Sequence, residues 1–163
     1  MKADVKLTQK DLFTFLMYHM YMRPTGLIYL LVGLCSLVGG IWFLVKGNTS
    51  GVFLLLVSAV YFILQPVMLY IRAGQQIKQP ILQKETHYEL TEAGIRVWQE
   101  DTDVSTLDWA RIRRFVRFGG EYLLYLDDIH ANIIPEKDFS APAEEINAFA
   151  AKMLPKKNRR GVK

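Results

Sequence analysis

Few side chains in this 163-residue chain have the types and spacing that do chemistry. Asp127, Asp128 and His130 offer two carboxylates and an imidazole within four positions, a set able to ligate a divalent metal. The same residues fall where a hairpin turn is expected, and Asp is a common turn residue. Asp101 and Asp103 have the alternating carboxylates of a calcium loop. That loop also needs a central glycine and a distal glutamate, and Ile112 stands where the glutamate belongs. No phosphate-cradling glycine loop, nucleophile elbow or dinucleotide fingerprint is present. The three histidines are scattered, and the single Cys35 can form neither an internal disulfide nor a zinc cluster. These residues point to no catalytic group, no metal and no cofactor, and hence to a protein that is not an enzyme.

The remaining chemistry is cationic. Arg111, Arg113, Arg114 and Arg117 form one basic cluster, and Lys156, Lys157, Arg159 and Arg160 a second. On a strand, Arg113 and Arg117 share a face and Arg114 points the other way. Arg113 and Arg117 read either as contacts for anionic lipid phosphates or as partners of nearby Asp and Glu. The tail reads as disordered: either a solubilising extension or a segment held near an anionic leaflet. Residues 84–154 carry 8 basic and 14 acidic side chains, and the last eight residues carry five basic and no acidic ones. The formal net charge of +4 therefore averages an acidic region with basic ends, which argues against nucleic-acid binding.

The elements that must position these groups follow from hydrophobic patterning. Between Leu27 and Ile71 the one charge is Lys46. Leu27–Val45 and Val52–Ile71 are uncharged runs of 19 and 20 residues. As helices each is roughly 30 Å long, the thickness of a hydrocarbon core. The polar link Lys46-Gly47-Asn48-Thr49-Ser50-Gly51 is rich in turn formers. The pattern predicts two transmembrane helices joined by a tight loop, rather than two buried helices of a soluble bundle, which keep a polar stripe. A signal peptide is excluded by the length of the first run and by the second span. Leu34 before Cys35 lacks the small residue that lipoprotein processing needs, so Cys35 reads as packing.

Lys10, Arg23, Arg72, Lys78 and Lys84 flank the spans, against Lys46 in the loop. This predicts an inner-membrane, multi-pass protein with both termini and the polar half in the cytoplasm. Gly33, Ser36 and Gly40 recur at helical spacing, for packing the hairpin on itself or for a homo-oligomer seam. Neither span holds an ionisable residue, which disfavours transport. Gln65-Pro66 predicts a local kink.

Residues 8–22 read as a helix capped by Thr8 with Asp11 in its first turn, lying on the membrane interface or on the polar domain. Pro80 is expected to stop a helix continuing from the second span. Beyond it the period changes to two, predicting strands at 85–90, 95–99, 104–107, 113–118, 122–126 and 131–134. A helical turn over 108–112 and an amphipathic helix over 142–154 complete the pattern. The organisation is then an interfacial helix (1–26), a hairpin (27–71, spans 27–45 and 52–71), a connector (72–83), an α+β domain (84–154) and a basic tail (155–163). About six antiparallel strands followed by a C-terminal helix resemble a pleckstrin-homology-like fold.

The chain also resembles the YcxB-like family of small bacterial membrane proteins over nearly its whole length. The resemblance rests on the N-terminal helix, the paired spans and Tyr88-Glu89-Leu90-Thr91-Glu92-Ala93-Gly94-Ile95. It continues in Leu107-Asp108-Trp109-Ala110-Arg111-Ile112, Tyr122-Leu123-Leu124-Tyr125-Leu126 and Ile134-Pro135-Glu136-Lys137-Asp138-Phe139. The family often places Pro-Lys-Arg before that Phe, whereas here Glu136 follows Pro135. The resemblance implies a membrane protein with a cytoplasmic domain and brings no catalytic residues. Trp109 and Ile112 read as anchors of the turn to the sheet, and Phe139 as a seal where the last strand leaves it.

The functional expectation is a membrane-anchored, non-enzymatic protein whose cytoplasmic domain interacts with the bilayer or an unidentified protein partner. A transport accessory or small oligomeric channel is one alternative, and an anionic-lipid-responsive sensor is another.

Overall fold

The computed structural model describes residues 1–22, 24–100, 102–128 and 130–162. Two compact units emerge: Met1–Thr14 with Gln76–Lys163, and Phe15–Gln75. The first is discontinuous in sequence, and the second is inserted into it.

The first unit holds two four-stranded sheets. One is an antiparallel meander of β1 (Lys2–Val5), β2 (Thr86–Thr91), β3 (Gly94–Gln99) and β4 (Ser105–Leu107). The other contains β5 (Arg114–Phe118), β6 (Glu121–Tyr125) and β7 (Ala131–Pro135), antiparallel, with β8 (Arg159–Arg160) added parallel to β5. Six of the eight strands match the predicted alternation to within a residue or so. Ala3, Val5, Tyr88, Leu90 and Ile95 of the first sheet share one core with Phe115, Tyr122, Leu124 and Ile134 of the second. A C-terminal helix (Ala143–Met153) contributes Ile146 and Ala150 to that core.

The predicted anchors hold these layers together. Trp109 and Ile112 are buried. The Trp109 indole Nε1–H donates to the Thr91 carbonyl at 2.8 Å, and its ring meets Phe149 edge-on. Phe139 packs edge-on against Tyr122 and forms a bridge with Ala3.

Three expectations are corrected. First, the described residues form two sheets and eight strands rather than about six strands in one sheet. The additional strands are β1, four residues long with two outward polar side chains, and β8, two residues in a basic run. β8 is too short to display a period, and β1 has neither a flanking turn signal nor a neighbouring strand in sequence. Secondly, the tail is folded. Asn158 Nδ2 donates to the Ile112 carbonyl at 3.2 Å, β8 pairs with β5, and Val162 packs against the core. Gly161 ends this segment at φ +68°, and a Cβ there would lie 2.4 Å from the Arg117 carbonyl oxygen. Glycine is required on both counts. Thirdly, the helix from the second apolar run ends at Gln76, and Pro80 opens a separate helical turn (Pro80–Gln83). Proline suits that first position because its missing N–H has no intrahelical partner there.

Helix α1 (Gln9–Tyr21) begins in the first unit and ends in the second. Its start is the predicted cap: Asp11 Oδ2 accepts from the Thr8 N–H at 2.8 Å and from the Thr8 hydroxyl at 2.7 Å.

In the second unit, α2 (Pro24–Val45) and α3 (Ser50–Gln76) form an antiparallel pair long and apolar enough to cross a membrane. Gly40 and Gly51 set their closest approach: a Cβ on Gly51 would lie 2.5 Å from the Gly40 carbonyl oxygen. A Cβ on Gly33 would lie 3.1 Å from Tyr61 and Phe62 side chains. Gly33 and Gly40 therefore face the chain's own partner helix, and Ser36 between them is half-buried. The stripe packs the hairpin on itself, the first of the two uses expected for it.

The Gln65-Pro66 irregularity takes the form of a π-helical turn over Val60–Leu64. The Gln65 N–H bonds back to the Val60 carbonyl, and Pro66 has no N–H to give. The Tyr61 carbonyl is thereby left open, and the Tyr21 hydroxyl donates to it at 3.0 Å.

Candidate functional site

The three acidic and imidazole candidates are tied to one another or to arginines. His130 Nδ1 lies 2.7 Å from Asp127 Oδ2, and the His130 backbone N–H donates to Asp127 Oδ1 at 2.6 Å. Asp128 is shared by Arg113 Nη1 and Arg114 Nη2, each at 3.5 Å. Among the described residues, no group of three or more His, Cys, Asp or Glu side chains is arranged to hold a metal ion. Asp101 of the calcium-like pair lies outside the described residues. Cys35 is exposed on α2.

The structure brings the two basic clusters together. They are separated by about forty residues in sequence and become neighbours because β8 pairs with β5, Phe115 opposite Arg159 and Val116 opposite Arg160. The Asn158–Ile112 hydrogen bond holds the preceding turn, with Lys156 and Lys157, beside the Arg111–Arg113 end of β5. Cross-strand partners on a sheet point to the same face, so Arg160 lies on the Val116 face, the face of Arg114.

The members of this edge differ in commitment. Arg117 makes two parallel hydrogen bonds to Glu136: Nε to Oε2 at 3.0 Å and Nη2 to Oε1 at 3.1 Å. That hydrogen bonding raises the Arg117 pKa above its ordinary value. The Glu at the position after Pro135 thus serves as the fixed counter-ion of Arg117. Arg114 lies over the Tyr125 ring, 4.8 Å from its centroid, and shares Asp128 with Arg113. Lys156, Lys157 and Arg160 are exposed, and among the described residues they form no ion pair. Arg159 is half-buried, and its Nε–H is enclosed without an acceptor. Lys163 lies outside the described residues.

A second polar feature escaped the sequence reading. Glu121, the first residue of β6, is 3% exposed, and Asp11 of α1 is 6% exposed. Thr14 hydrogen-bonds the Glu121 carboxyl, while Oε2 is buried without a partner. Burial, with the nearby Asp11 charge, pushes the Glu121 pKa up to about 8, against the opposing pull of Thr14, Lys137 and Lys10. Asp138, also raised mainly by burial, follows β7. The available signal was the run Tyr122-Leu123-Leu124-Tyr125: a strand apolar at every position is covered on both faces, so a glutamate opening it is covered too.

Residues 90–153 match the family model described as YcxB-like protein. This segment is similar to the YcxB-like family. The match runs from the end of β2 through the C-terminal helix and includes Trp109, Arg113, Arg117 and Glu136. It covers less of the chain than the resemblance suggested: β1, the apolar hairpin and the tail with Lys156, Lys157, Arg159 and Arg160 lie outside it. No curated protein and no solved structure matches the chain significantly.

Proposed function

We propose that this protein is a multi-pass inner-membrane protein of bacteria, and that its hairpin anchors a pleckstrin-homology-like, non-enzymatic interaction domain on the cytoplasmic side. The observation that carries this reading is the uncovered apolar hairpin. Twenty-four large hydrophobic residues between Leu27 and Ile71 are exposed, and each helix has only 11% of its apolar window buried. At roughly 1.5–3 kcal/mol per side chain, leaving them in water costs tens of kcal/mol, more than a domain's whole stability. A bilayer removes that cost, whereas the core helices of soluble proteins are mostly buried.

Chain topology supports the orientation. Because β1 and β2 pair, the chain leaves and re-enters the same folded unit, which fits an even number of crossings. The basic residues at the flanks then favour the cytoplasm. Two sheets around one core, closed by a C-terminal helix, support the pleckstrin-like reading. The surface pairing of Asp127 with His130, and of Asp128 with two arginines, supports binding over catalysis. The function follows from tethering: a domain held at the membrane meets the bilayer or a membrane partner at high effective concentration.

The test uses the full chain in bacterial cells, in a Cys35→Ser background. Asn48→Cys should be labelled by a membrane-impermeant maleimide from outside and Lys157→Cys only after lysis, with the protein resisting alkaline carbonate extraction. Release by carbonate, or labelling of Lys157→Cys in intact cells, would overturn the reading.

A further inference from the structure

We propose that the β5–β8 edge is a docking surface for the anionic headgroups of the bilayer that holds the hairpin, an inference that rests on the membrane reading above. The α+β domain is acidic, with 14 acidic against 8 basic side chains over residues 84–154. A basic tail acting only as a counter-ion has carboxylates within reach of a flexible segment. Instead the chain fixes the tail in a way that leaves its charges unpaired. Gly161, Val162 and the Asn158 side chain lock the backbone against β5. Lys156 and Lys157 then project from a held turn, and Arg160 from the strand that follows it, with no carboxylate partner among the described residues.

Arg111 and Arg113 extend the same edge, where Asp128 is shared by Arg113 and Arg114. Arg159 is half-buried opposite Phe115 with its Nε–H enclosed, so it stands apart from the docking group. Arg117 belongs to the edge by position but not to the docking group, because Glu136 already occupies its guanidinium.

Phosphate is the fitting chemistry because guanidinium and ammonium groups bind it through charge and directed N–H bonds. The bilayer is the fitting source because the tether keeps the domain at the membrane, so individually weak contacts suffice. Each basic side chain near an anionic leaflet favours docking by about fivefold, so Lys156, Lys157 and Arg160 together favour it by about a hundredfold.

The experiment places the full chain in vesicles of phosphatidylcholine alone, or of phosphatidylcholine mixed with phosphatidylglycerol, and follows amide hydrogen exchange. Residues 156–162 should exchange at least about fivefold more slowly with the anionic lipid. The difference should vanish in about 0.5 M salt, where screening shortens to a few ångströms. The variant K156E with K157E should lose most of the difference, and the milder K156Q with K157Q about half. Both residues are exposed and unpaired, so unchanged exchange in the core strand β6 verifies folding. Equal exchange in the two vesicle types overturns the proposal, as does a difference that survives charge reversal. Equal protection by inorganic phosphate added to phosphatidylcholine vesicles also overturns it, because the site then takes free phosphate. A chain that carbonate strips from the vesicles overturns the membrane reading and this inference together; a retained chain with equal exchange overturns the docking alone.

Discussion

Replacing Glu121 with glutamine should stabilise the folded chain, increasingly so as the pH rises. The buried carboxyl has its folded-state pKa raised from 4.5 to about 8, chiefly by burial and then by Asp11. Below about pH 4.5 the group is protonated whether the chain is folded or not, and it costs nothing. Between about pH 4.5 and pH 8 the unfolded chain releases the proton while the folded chain keeps it, so stability falls as pH rises. Above about pH 8 the loss levels off. At 1.36 kcal/mol per unit, the penalty is about 3 kcal/mol at pH 7 and about 5 kcal/mol at the plateau, as orders of magnitude. Glutamine keeps the shape and an acceptor for Thr14 but never ionises. The assay is thermal unfolding of the full chain in detergent across pH 4 to 9, reading wild type minus variant. Asp138, raised in the same direction, is common to both proteins and cancels. At pH 7 the variant should melt on the order of 10 °C higher, and the two should converge near pH 4. Parallel melting curves at every pH would refute the assignment of a buried, protonated Glu121.

Three further outcomes test the packing. Gly161→Val should detach β8, since its Cβ would meet the Arg117 carbonyl at 2.4 Å; residues 158–162 should then exchange hydrogen freely while β6 stays protected. Tyr21→Phe should lower thermal stability in micelles by about 1 kcal/mol, the net worth of one hydrogen bond, by leaving the Tyr61 carbonyl open at the π-turn. Gly51→Leu should lower it by several kcal/mol, because a side chain cannot fit 2.5 Å from the Gly40 carbonyl oxygen. Gly47→Ala, at a glycine with nothing nearby but at φ +76°, should cost only about 1 kcal/mol and serves as the comparison.

Legibility followed local sequence context. The helices declared themselves through uncharged runs of 19 and 20 residues, and strands β2 to β7 through short apolar segments set off by turns. Trp109 and Phe139 were readable as anchors because a large aromatic beside a turn has few other uses. β1 and β8 were not readable: Lys2–Val5 and Arg159–Arg160 acquire strand geometry only from partners distant in sequence. The candidate site shared that fate. Each basic cluster was visible alone, but their union depends on β8, and β8 depends on Gly161, Val162 and the Asn158 side chain rather than on the arginines. Arg117 could be assigned to Glu136 only once β5 and the end of β7 lay side by side, because nineteen residues separate them in sequence.

The insertion of a second unit between β1 and β2 looks costly, since paired residues Val5 and Thr86 are separated by 80 positions. The physical cost is small. Loop closure grows only as (3/2)RT ln n, about 4 kcal/mol for a flexible loop of this length. The antiparallel helices reduce it further once paired, because they bring the two ends of the inserted unit near one another. The returns are specific. Ala3 and Val5 are 1% and 2% exposed, the Met1 amino group donates to the Leu90 carbonyl, and the Ser140 N–H donates to the Lys2 carbonyl. Four residues at the chain's start therefore join β2 to the segment after β7. The sheet unit closes when β2 returns to β1, so the inserted unit acts on β1–β2 pairing mainly through this modest loop-closure cost.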